Sequence, residues 1–419
     1  MSSGNLVIPS NTAPFRWNDR LDPARFATAT YRVTALCSGE NAALGMAMEQ
    51  SASTLSIPGY VTADMLGDWS IRIRSVTPVE RDPGAPAEAV PPFFLNTEVY
   101  SVSGAGATGC YDIELAVPLG LLEGKGVQLL NVLVGELPRL GFLTSFRLLD
   151  VAFPAPFGPG PAFGRPGILQ SLGLTRGPVL CRAMRPGVGL DTATMARLNR
   201  DVLTGGFHAV KDDELIAFAD LAAFERHLRA MIAARDAAQD ATGERKLYIA
   251  NLFCEPDELA ARWDLVCALG ADGVLVAPWI QGIGVLSHLA RQARMPLLAH
   301  NSFGDFLTRN PHWGIADAVL CRWARHCGAD WFVTPGTFAS DHFDARAARE
   351  LLRIGTGEEH GLRPMMPNLQ GGKHPGGLPA YREAVGSDDF TLIVAHWVDN
   401  HPAGLKAAAR EFRDALAGS

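Results

Sequence analysis

The sequence predicts an α/β protein in which an N-terminal α+β domain precedes a C-terminal (β/α)8 TIM barrel. Two observations support this fold class. A Pro/Gly-rich connector at Pro154–Pro166 divides the chain, and after it short apolar runs alternate with helical stretches eight times. Parallel strands joined by crossover helices close naturally into a barrel, because each helix then packs outside the sheet. An open doubly wound sheet is the alternative, but no GxGxxG motif follows the first strand of the alternating region.

The first domain, residues 1–150, has the patterns of a small ferredoxin-like α+β domain. Alternating or β-rich stretches predict strands at Ala27–Ala35, Trp69–Val79, Thr97–Ser103 and Tyr111–Val117. Helices are predicted at Asn41–Gln50 and Gln128–Glu136. We expect Asn41 to cap the first helix, because an Asn side chain accepts a hydrogen bond from an N–H group of the first turn.

The second domain, residues 151–419, carries the eight strand–helix units. Short apolar runs predict strands at Pro178–Met184, Phe207–Val210, Lys246–Asn251, Gly273–Ala277, Pro296–His300, Asp330–Val333, Arg363–Pro367 and Thr391–Ala395. Helical patterns between them include Thr192–Val202, Leu221–Asp240, Asp257–Leu269, Ala345–Arg353 and Ala403–Ala417. In such a barrel the chemistry lies at the C-terminal ends of the strands, so the residues that follow each strand are the candidates for a site.

Composition narrows the class of protein. With 47% hydrophobic residues the chain can bury a large core, and its formal net charge of −7, without a basic run, argues against nucleic-acid binding. The seven cysteines are scattered and predict reduced thiols. The N-terminal residues lack the pattern of a signal peptide, and no apolar run is long enough to span a bilayer. A cytoplasmic protein with a small-molecule substrate and no membrane partner is therefore expected.

The stretch Gly205–Glu214 is the most informative of the strand ends. An apolar run is followed there by Lys211 and three consecutive carboxylates, of which Asp213 and Glu214 are hard oxygen ligands of the kind that Mg²⁺ prefers. An ammonium group repels a metal, so Lys211 fits such a site only as a carbamate formed with CO₂. The alternative interpretation is a solvated acidic turn at the end of a strand.

Other strand ends carry polar groups as well, namely Arg185, Asn251, His300, Asn301 and His396. The segment Gln370-Gly371-Gly372 is typical of an anion site, because glycine lets backbone N–H groups approach a phosphate, although Gly-Gly is also common in ordinary loops. A zinc site built from His300, His396 and His401 is a weaker alternative, since the three lack HExxH or a similar spacing.

At these residues the chain resembles the RuBisCO large-chain superfamily and, more closely, its RuBisCO-like (form IV type) proteins. The stretches that carry the resemblance are Leu180–Asp191, Gly205–Glu214, Leu297–Asn301 and Gly328–Thr337, with Thr30–Thr54 and Asn131–Val151 upstream. The resemblance implies that Lys211 is carbamylated and binds Mg²⁺ together with Asp213 and Glu214. It also implies a homodimer with shared active sites, to which the partner contributes Glu49 and Thr54 for substrate binding.

The chain also departs from the family pattern. Arg185 stands where true RuBisCO has its general-base lysine, and Asn301 replaces an arginine that grips a phosphate. Gln370 replaces a serine beside the conserved glycines Gly371 and Gly372. His396 and its two neighbours, Ala395 and Trp397, replace a Gly-Gly-Gly phosphate loop, and Asp341 falls at or near the mobile-loop lysine.

These departures make fixation of CO₂ on a bisphosphate unexpected. The resemblance instead implies a Mg²⁺-dependent lyase or isomerase that enolises, isomerises or decarboxylates a small sugar-derived keto compound with at most one phosphate. We expect His300 to transfer a proton, with Lys373 and His396 as the next candidates, and Lys211 itself to act as the base if its carbamate does not form. We expect Arg185 to orient or neutralise the substrate, and Asn301, Gln370, Gly371, Gly372 and His396 to bind it. The alternative is a catalytically silent protein of the same fold that binds a metabolite.

Overall fold

The structure, a computed structural model, describes residues 12–51, 59–60, 62, 67–84, 108–334 and 345–418. These residues form two compact units with the bounds Met1–Gly158 plus Gly304–Leu320 and Pro159–Phe303 plus Cys321–Ser419. The units are therefore not continuous in sequence. The boundary predicted at residue 150 falls inside the strand Leu143–Ala152, which belongs to the first unit.

The first unit contains a mixed sheet of five strands within the described residues, in the order β10-β4-β1-β3-β2. Its strands are β1 (Phe26–Ala35), β2 (Arg72–Val79), β3 (Gly109–Pro118), β4 (Leu143–Ala152) and β10 (Trp313–Ile315). Neighbouring strands are antiparallel except β10, which pairs in parallel with β4. The alternating patterns of the sequence thus produce this sheet, because one of its faces is buried.

The second unit is a closed barrel of eight parallel strands, all of them among the described residues. Its strands are β5 (Val179–Ala183), β6 (Ala209–Lys211), β7 (Leu247–Asn251), β8 (Gly273–Val276), β9 (Leu297–Ala299), β11 (Trp331–Val333), β12 (Met366–Leu369) and β13 (Thr391–Val394). Alternate residues of these strands fill the interior, among them Cys181, Ile249, Leu275, Trp331 and Met366. The predicted fold class is confirmed.

Helices connect the barrel strands and pack around the sheet. Those of the second unit are Gly164–Ser171, Thr192–Thr204, Leu221–Thr242, Leu259–Leu269, Pro278–Gln281, Gly284–Ala290, Ala345–Thr356, Leu378–Val385, His396–Asp399 and Leu405–Ala417. The first unit has helices Gly39–Ser51, Leu119–Leu122, Gly126–Leu130 and Gly304–Thr308, with a π-helical turn at Asn131–Gly135, and Asp317–Cys327 runs from the first unit into the second. None of the helices in the described ranges combines the length and the apolar character needed to cross a membrane.

The structure corrects two local predictions and adds one strand. Ser38, not Asn41, caps the helix Gly39–Ser51, because the Asn41 N–H donates to Ser38 Oγ at 3.3 Å. Strand β10 was not predicted, since three residues give no periodic pattern. The seventh barrel strand begins at Met366 rather than Arg363. The Met365 N–H donates to the carbonyl of Gly355, and the first ladder bond is made by the Met366 N–H. The predicted strand Thr97–Ser103 lies outside the described residues.

Candidate active site

Strand β6 delivers a buried lysine and three acidic residues to the C-terminal end of the barrel. Lys211 is 2% exposed and Asp212 and Asp213 are fully buried. The Lys211 ammonium donates to the backbone carbonyl of Asp212 at 2.8 Å and lies 3.4 Å from Glu214 Oε2. Burial on this scale contradicts a merely solvated acidic turn, because charges are rarely buried without partners.

Asp212 is held by partners of its own. Its carboxylate contacts His227 Nε2 at 3.0 Å and accepts hydrogen bonds from the Tyr248 hydroxyl at 2.7 Å and the Asn251 N–H at 3.1 Å. Burial raises the pKa of Asp212, but His227 and the two hydrogen bonds outweigh it, so the pKa is lowered overall. Asp212 therefore anchors the end of β6, and the Asn251 amide adds to this by donating to the carbonyl of Asp213 at 3.2 Å.

Arg185 brings Asp213 and Glu214 together. Its guanidinium Nε lies 3.0 Å from Asp213 Oδ2, and Nη2 lies 3.5 Å from Glu214 Oε1. The planar guanidinium spans both carboxylates, so these must converge. Gly187, two residues after Arg185, allows this close approach, since a Cβ there would lie 2.7 Å from Asp213 Oδ1.

His300 faces the same group of charges from the end of β9. Its Nε2 lies 3.4 Å from Glu214 Oε2, while its Nδ1 accepts a hydrogen bond from the Ser302 N–H at 3.2 Å. Because a backbone N–H can only donate, the neutral ring carries its proton on Nε2. Burial, with Lys211 acting in the same direction, lowers the pKa of His300 to about 4. The imidazole is thus neutral at physiological pH and directs an N–H group into the site.

The donor set fits a divalent metal ion. Asp213 Oδ2 is buried and accepts no hydrogen bond, although Arg185 is nearby. Burial raises the pKa of Glu214, but His300, Lys211 and Arg185 together lower it further, so this carboxylate is available as an anion. No cluster of three His, Cys, Asp or Glu side chains suited to a metal occurs in the described part of the chain. A third protein ligand beside Asp213 and Glu214 would therefore be Lys211, and only as a carbamate.

The histidines proposed for zinc do not converge. His396 Nδ1 lies 3.1 Å from the Asn400 amide, and His401 Nε2 lies 3.2 Å from Glu411. His300 is engaged by Ser302 and Glu214 as described above. The geometry therefore gives the zinc interpretation no support.

Asn301 and Gln370 contact each other. The Gln370 amide donates to Asn301 Oδ1 at 3.2 Å across the end of strand β11, which lies between their own strands. Gly371 and Gly372 follow with φ values of +76° and +61°, which glycine adopts without strain, and both are exposed. Lys373 is then buried, which lowers its pKa. The strand-seven end thus presents neutral amides and an open glycine turn.

The two residues predicted to come from a partner chain are in the first unit. Glu49 lies near the end of the helix Gly39–Ser51, where its mostly buried carboxylate forms an ion pair with Arg139. Thr54 lies outside the described residues. The contribution of either residue to a shared site stays a prediction.

Sequence reasoning missed the network around Arg182. This side chain is fully buried and donates through Nε and Nη2 to Asp399 Oδ1 at 2.9 and 2.7 Å. It also donates to the carbonyl of Arg185 at 3.0 Å and to Asn199 Oδ1 at 3.3 Å. Arg182 therefore ties the segment of Arg185 to the helix that begins at His396. The one sequence feature that could have indicated this network is an arginine within an otherwise apolar strand.

The comparison with known proteins bears on the same residues. The family model described as the ribulose bisphosphate carboxylase large chain, catalytic domain, matches residues 166–351, a range that includes Lys211, Asp213, Glu214 and His300. Residues 166–351 are therefore similar to the catalytic domain of the RuBisCO large chain. The RuBisCO-type barrel is thus the part of the protein in which the candidate site lies.

Relatives of several kinds match this chain. A ribulose bisphosphate carboxylase-like protein of Allochromatium vinosum is 28% identical over 325 residues, which are 76% of this chain and 70% of the relative. A ribulose bisphosphate carboxylase of Pyrococcus abyssi is 29% identical, with 73% and 74% covered. The 2,3-diketo-5-methylthiopentyl-1-phosphate enolase of Geobacillus kaustophilus is 29% identical, with 68% and 70% covered.

A solved structure supports the fold over nearly the whole chain. A rubisco-like protein from Alicyclobacillus acidocaldarius superposes with a TM-score of 0.80 at 24% sequence identity. The match covers 95% of this chain and 94% of the other. The RuBisCO fold therefore extends to both units, beyond the residues that the family model matches.

Proposed function

We propose that this protein is a Mg²⁺-dependent lyase or isomerase of the RuBisCO-like type, and not a CO₂-fixing carboxylase. Its substrate would be a small sugar-derived keto compound with at most one phosphate. The observation that carries the proposal is that Arg185 pairs with both Asp213 and Glu214 and that Lys211 pairs with Glu214, while the buried Oδ2 of Asp213 accepts no hydrogen bond. A protein that only binds a metabolite has no physical need for such a set of charges.

Lys211 as a carbamate, Asp213 and Glu214 would hold the metal. A divalent cation there supplies Lewis acidity, which weakens the C–H bond beside a substrate carbonyl. Asp212 keeps these ligands in place through its bonds to His227 and Tyr248. The burial of the ligands excludes water, which strengthens their electrostatic interactions.

His300 is our candidate for proton transfer. Its neutral ring with the proton on Nε2 can donate to the oxygen on which negative charge develops during enolisation. A low pKa favours this role, because a neutral imidazole remains a donor without adding a charge to the site. Lys373, whose pKa is lowered by burial, is the next candidate for the proton that leaves the carbon.

The residues proposed to bind the substrate favour a substrate with at most one phosphate group. Asn301 and Gln370 are uncharged and share one hydrogen bond, so they suit a hydroxyl or carbonyl group better than a phosphate. Gly371 and Gly372 leave room for one anion. His396, exposed at the end of β13, would contact the other end of the substrate.

A homodimer with shared sites is part of the proposal, as is a cytoplasmic location. Large apolar side chains are exposed in the segments after β5, β6 and β8, at Val188, Leu215 and Ile280. Exposed apolar groups at the mouth of a barrel favour coverage by another protein surface. Sedimentation analysis should give twice the chain mass of 44.9 kDa.

The test is incorporation of solvent deuterium. The protein is incubated in D₂O with Mg²⁺, bicarbonate and a keto compound, beginning with 2,3-diketo-5-methylthiopentyl 1-phosphate and followed by ketoses and their monophosphates. Mass spectrometry should detect a carbon-bound deuteron that requires Mg²⁺ and Lys211 and is unaffected by Lys406→Met, a change on an exposed helix. Tight binding of a ketone without any exchange would favour the catalytically silent alternative.

A further inference from the structure

Arg185 contacts the carboxylates that we assign to the metal, although it comes from a different strand end. Its Nε and Nη2 lie 3.0 Å and 3.5 Å from Asp213 Oδ2 and Glu214 Oε1. The arginine side chain is 53% exposed, whereas those of Asp213 and Glu214 are 1% and 17% exposed. Its charge therefore reaches two buried anions from the open side of the site.

The oxygen that Arg185 faces is the one best suited to a cation. Asp213 Oδ1 already accepts a hydrogen bond from the Leu215 N–H at 3.1 Å, whereas Oδ2 accepts none. A Mg²⁺ ion binds carboxylate oxygen at about 2.0–2.1 Å. A guanidinium 3.0 Å from the same oxygen would then lie within a few ångströms of a divalent charge. The two cations repel each other and compete for one lone-pair region.

Formal charges indicate what the competition achieves. Before Lys211 is carbamylated, Lys211 and Arg185 carry two positive charges and Asp213 and Glu214 carry two negative charges, so the four side chains are neutral together. Buried carboxylates without counter-ions are costly, and Arg185 removes part of that cost. Because its side chain is half exposed, it can leave the carboxylates without being buried elsewhere.

We propose that Arg185 is a displaceable counter-ion of the metal site. It neutralises Asp213 and Glu214, gives way when a divalent cation binds them, and is then free at the mouth of the site to contact an anionic part of the substrate. The proposal rests on the metal site of the proposed function. In this proposal Arg185 acts before the substrate binds, as a counter-ion of the carboxylates. A residue that only orients the substrate would not need that role.

Calorimetric titration of the full-length protein with Mg²⁺ in saturating bicarbonate tests this exchange. We expect Arg185→Gln to bind Mg²⁺ about tenfold more tightly than the wild type, which corresponds to roughly 1.4 kcal/mol for one nearby, half-exposed positive charge. Arg185→Lys keeps the charge and should stay within about twofold of the wild type. Arg197→Gln, which removes an exposed arginine outside the site, is the matched control and should change nothing.

Salt gives a second readout. The gain in Arg185→Gln should shrink at high ionic strength, because a half-exposed charge is screened. Unchanged or weaker Mg²⁺ binding in Arg185→Gln, with a wild type that does bind Mg²⁺, would overturn the exchange and leave the metal site intact. Absence of Mg²⁺ binding in the wild type and in Arg185→Gln would overturn both. Arg185→Ser is a second charge-removing variant, so that a folding defect peculiar to glutamine does not decide the result.

Discussion

At the scale of single residues, neighbours decide what a charged side chain does. Asp212, Asp213 and Glu214 are consecutive in sequence, yet Asp212 is saturated by His227, Tyr248 and a backbone N–H, whereas Asp213 keeps one oxygen without a hydrogen bond. A saturated carboxylate stabilises the fold, and an unsaturated one can bind a cation. The same amino-acid type thus serves two purposes within two positions.

Lys211 provides the most direct test of the metal site. With Mg²⁺ and bicarbonate together, the wild type should gain about 2.7 kcal/mol of stability when the ion is 100-fold above its dissociation constant. Lys211→Met keeps the buried stem but cannot form a carbamate, so the gain should disappear, whereas Lys406→Met should keep it. Thermal melts with each ion alone and with both check this. A full gain in Lys211→Met would exclude the carbamate as a ligand.

At the scale of secondary-structure elements, the sequence predicted the presence and order of the barrel strands better than their exact bounds. The eight barrel strands and five of the helices around them were recognised because burial imposes a period on the residues of each element. The predicted start of β12 was wrong by three residues. The Met365 N–H bonds to the carbonyl of Gly355 near the end of a helix, so the strand begins only at Met366. Strand β10 was not predicted, because it is defined by its pairing with β4, which is distant in sequence.

The first helix offers a test at this scale. Ser38→Ala should lower the free energy of unfolding by about 1 kcal/mol, because the Ser38 hydroxyl accepts the N–H of Asn41 at the helix start. Asn41→Ala leaves that acceptor in place and should change the stability by less than about 0.5 kcal/mol. Urea denaturation of the two variants measures the difference. A larger loss of stability in Asn41→Ala than in Ser38→Ala would show that Asn41 is the cap.

At the scale of the whole molecule, the two ends of the barrel differ in character. The candidate site lies at the C-terminal ends of the strands, and an ionic cluster lies just before β6 and β7 at the other end. In this cluster His208 Nε2 is 2.6 Å from Arg413, Glu244 bonds both Arg413 and Lys246 at 2.8 Å, and His208 Nδ1 accepts the Leu180 N–H. The cluster ties the last helix to the strands and serves stability, as expected for this face of a barrel.

The cluster predicts how stability depends on pH. Burial lowers the pKa of His208 to about 3, with Arg413 and Lys246 acting in the same direction and Glu244 against them. Between this value and the unfolded pKa of about 6.5, the unfolded chain binds more protons, so stability falls as the pH drops below 6.5.

From pH 8 to pH 5 the loss attributable to His208 should be about 2 kcal/mol. The His208→Asn variant cannot be protonated in this range, so its loss of stability should be smaller than that of the wild type by about 2 kcal/mol. Urea denaturation at the two pH values gives the comparison. Equal losses in both proteins would show that His208 does not control acid stability.

The sequence by itself determined the barrel, the order of its strands and the Lys211-Asp213-Glu214 motif, because hydrophobic period and motif spacing are local properties. Only the tertiary structure decided that Asp212 is an anchor, that Arg185 lies on Asp213, and that His300 directs its Nε2 proton into the site. It also decided that Gln370 bonds Asn301, 69 residues away, and that Arg182 bonds Asp399, 217 residues away. Such contacts depend on how the barrel closes, and a linear pattern carries no record of which strand ends will meet.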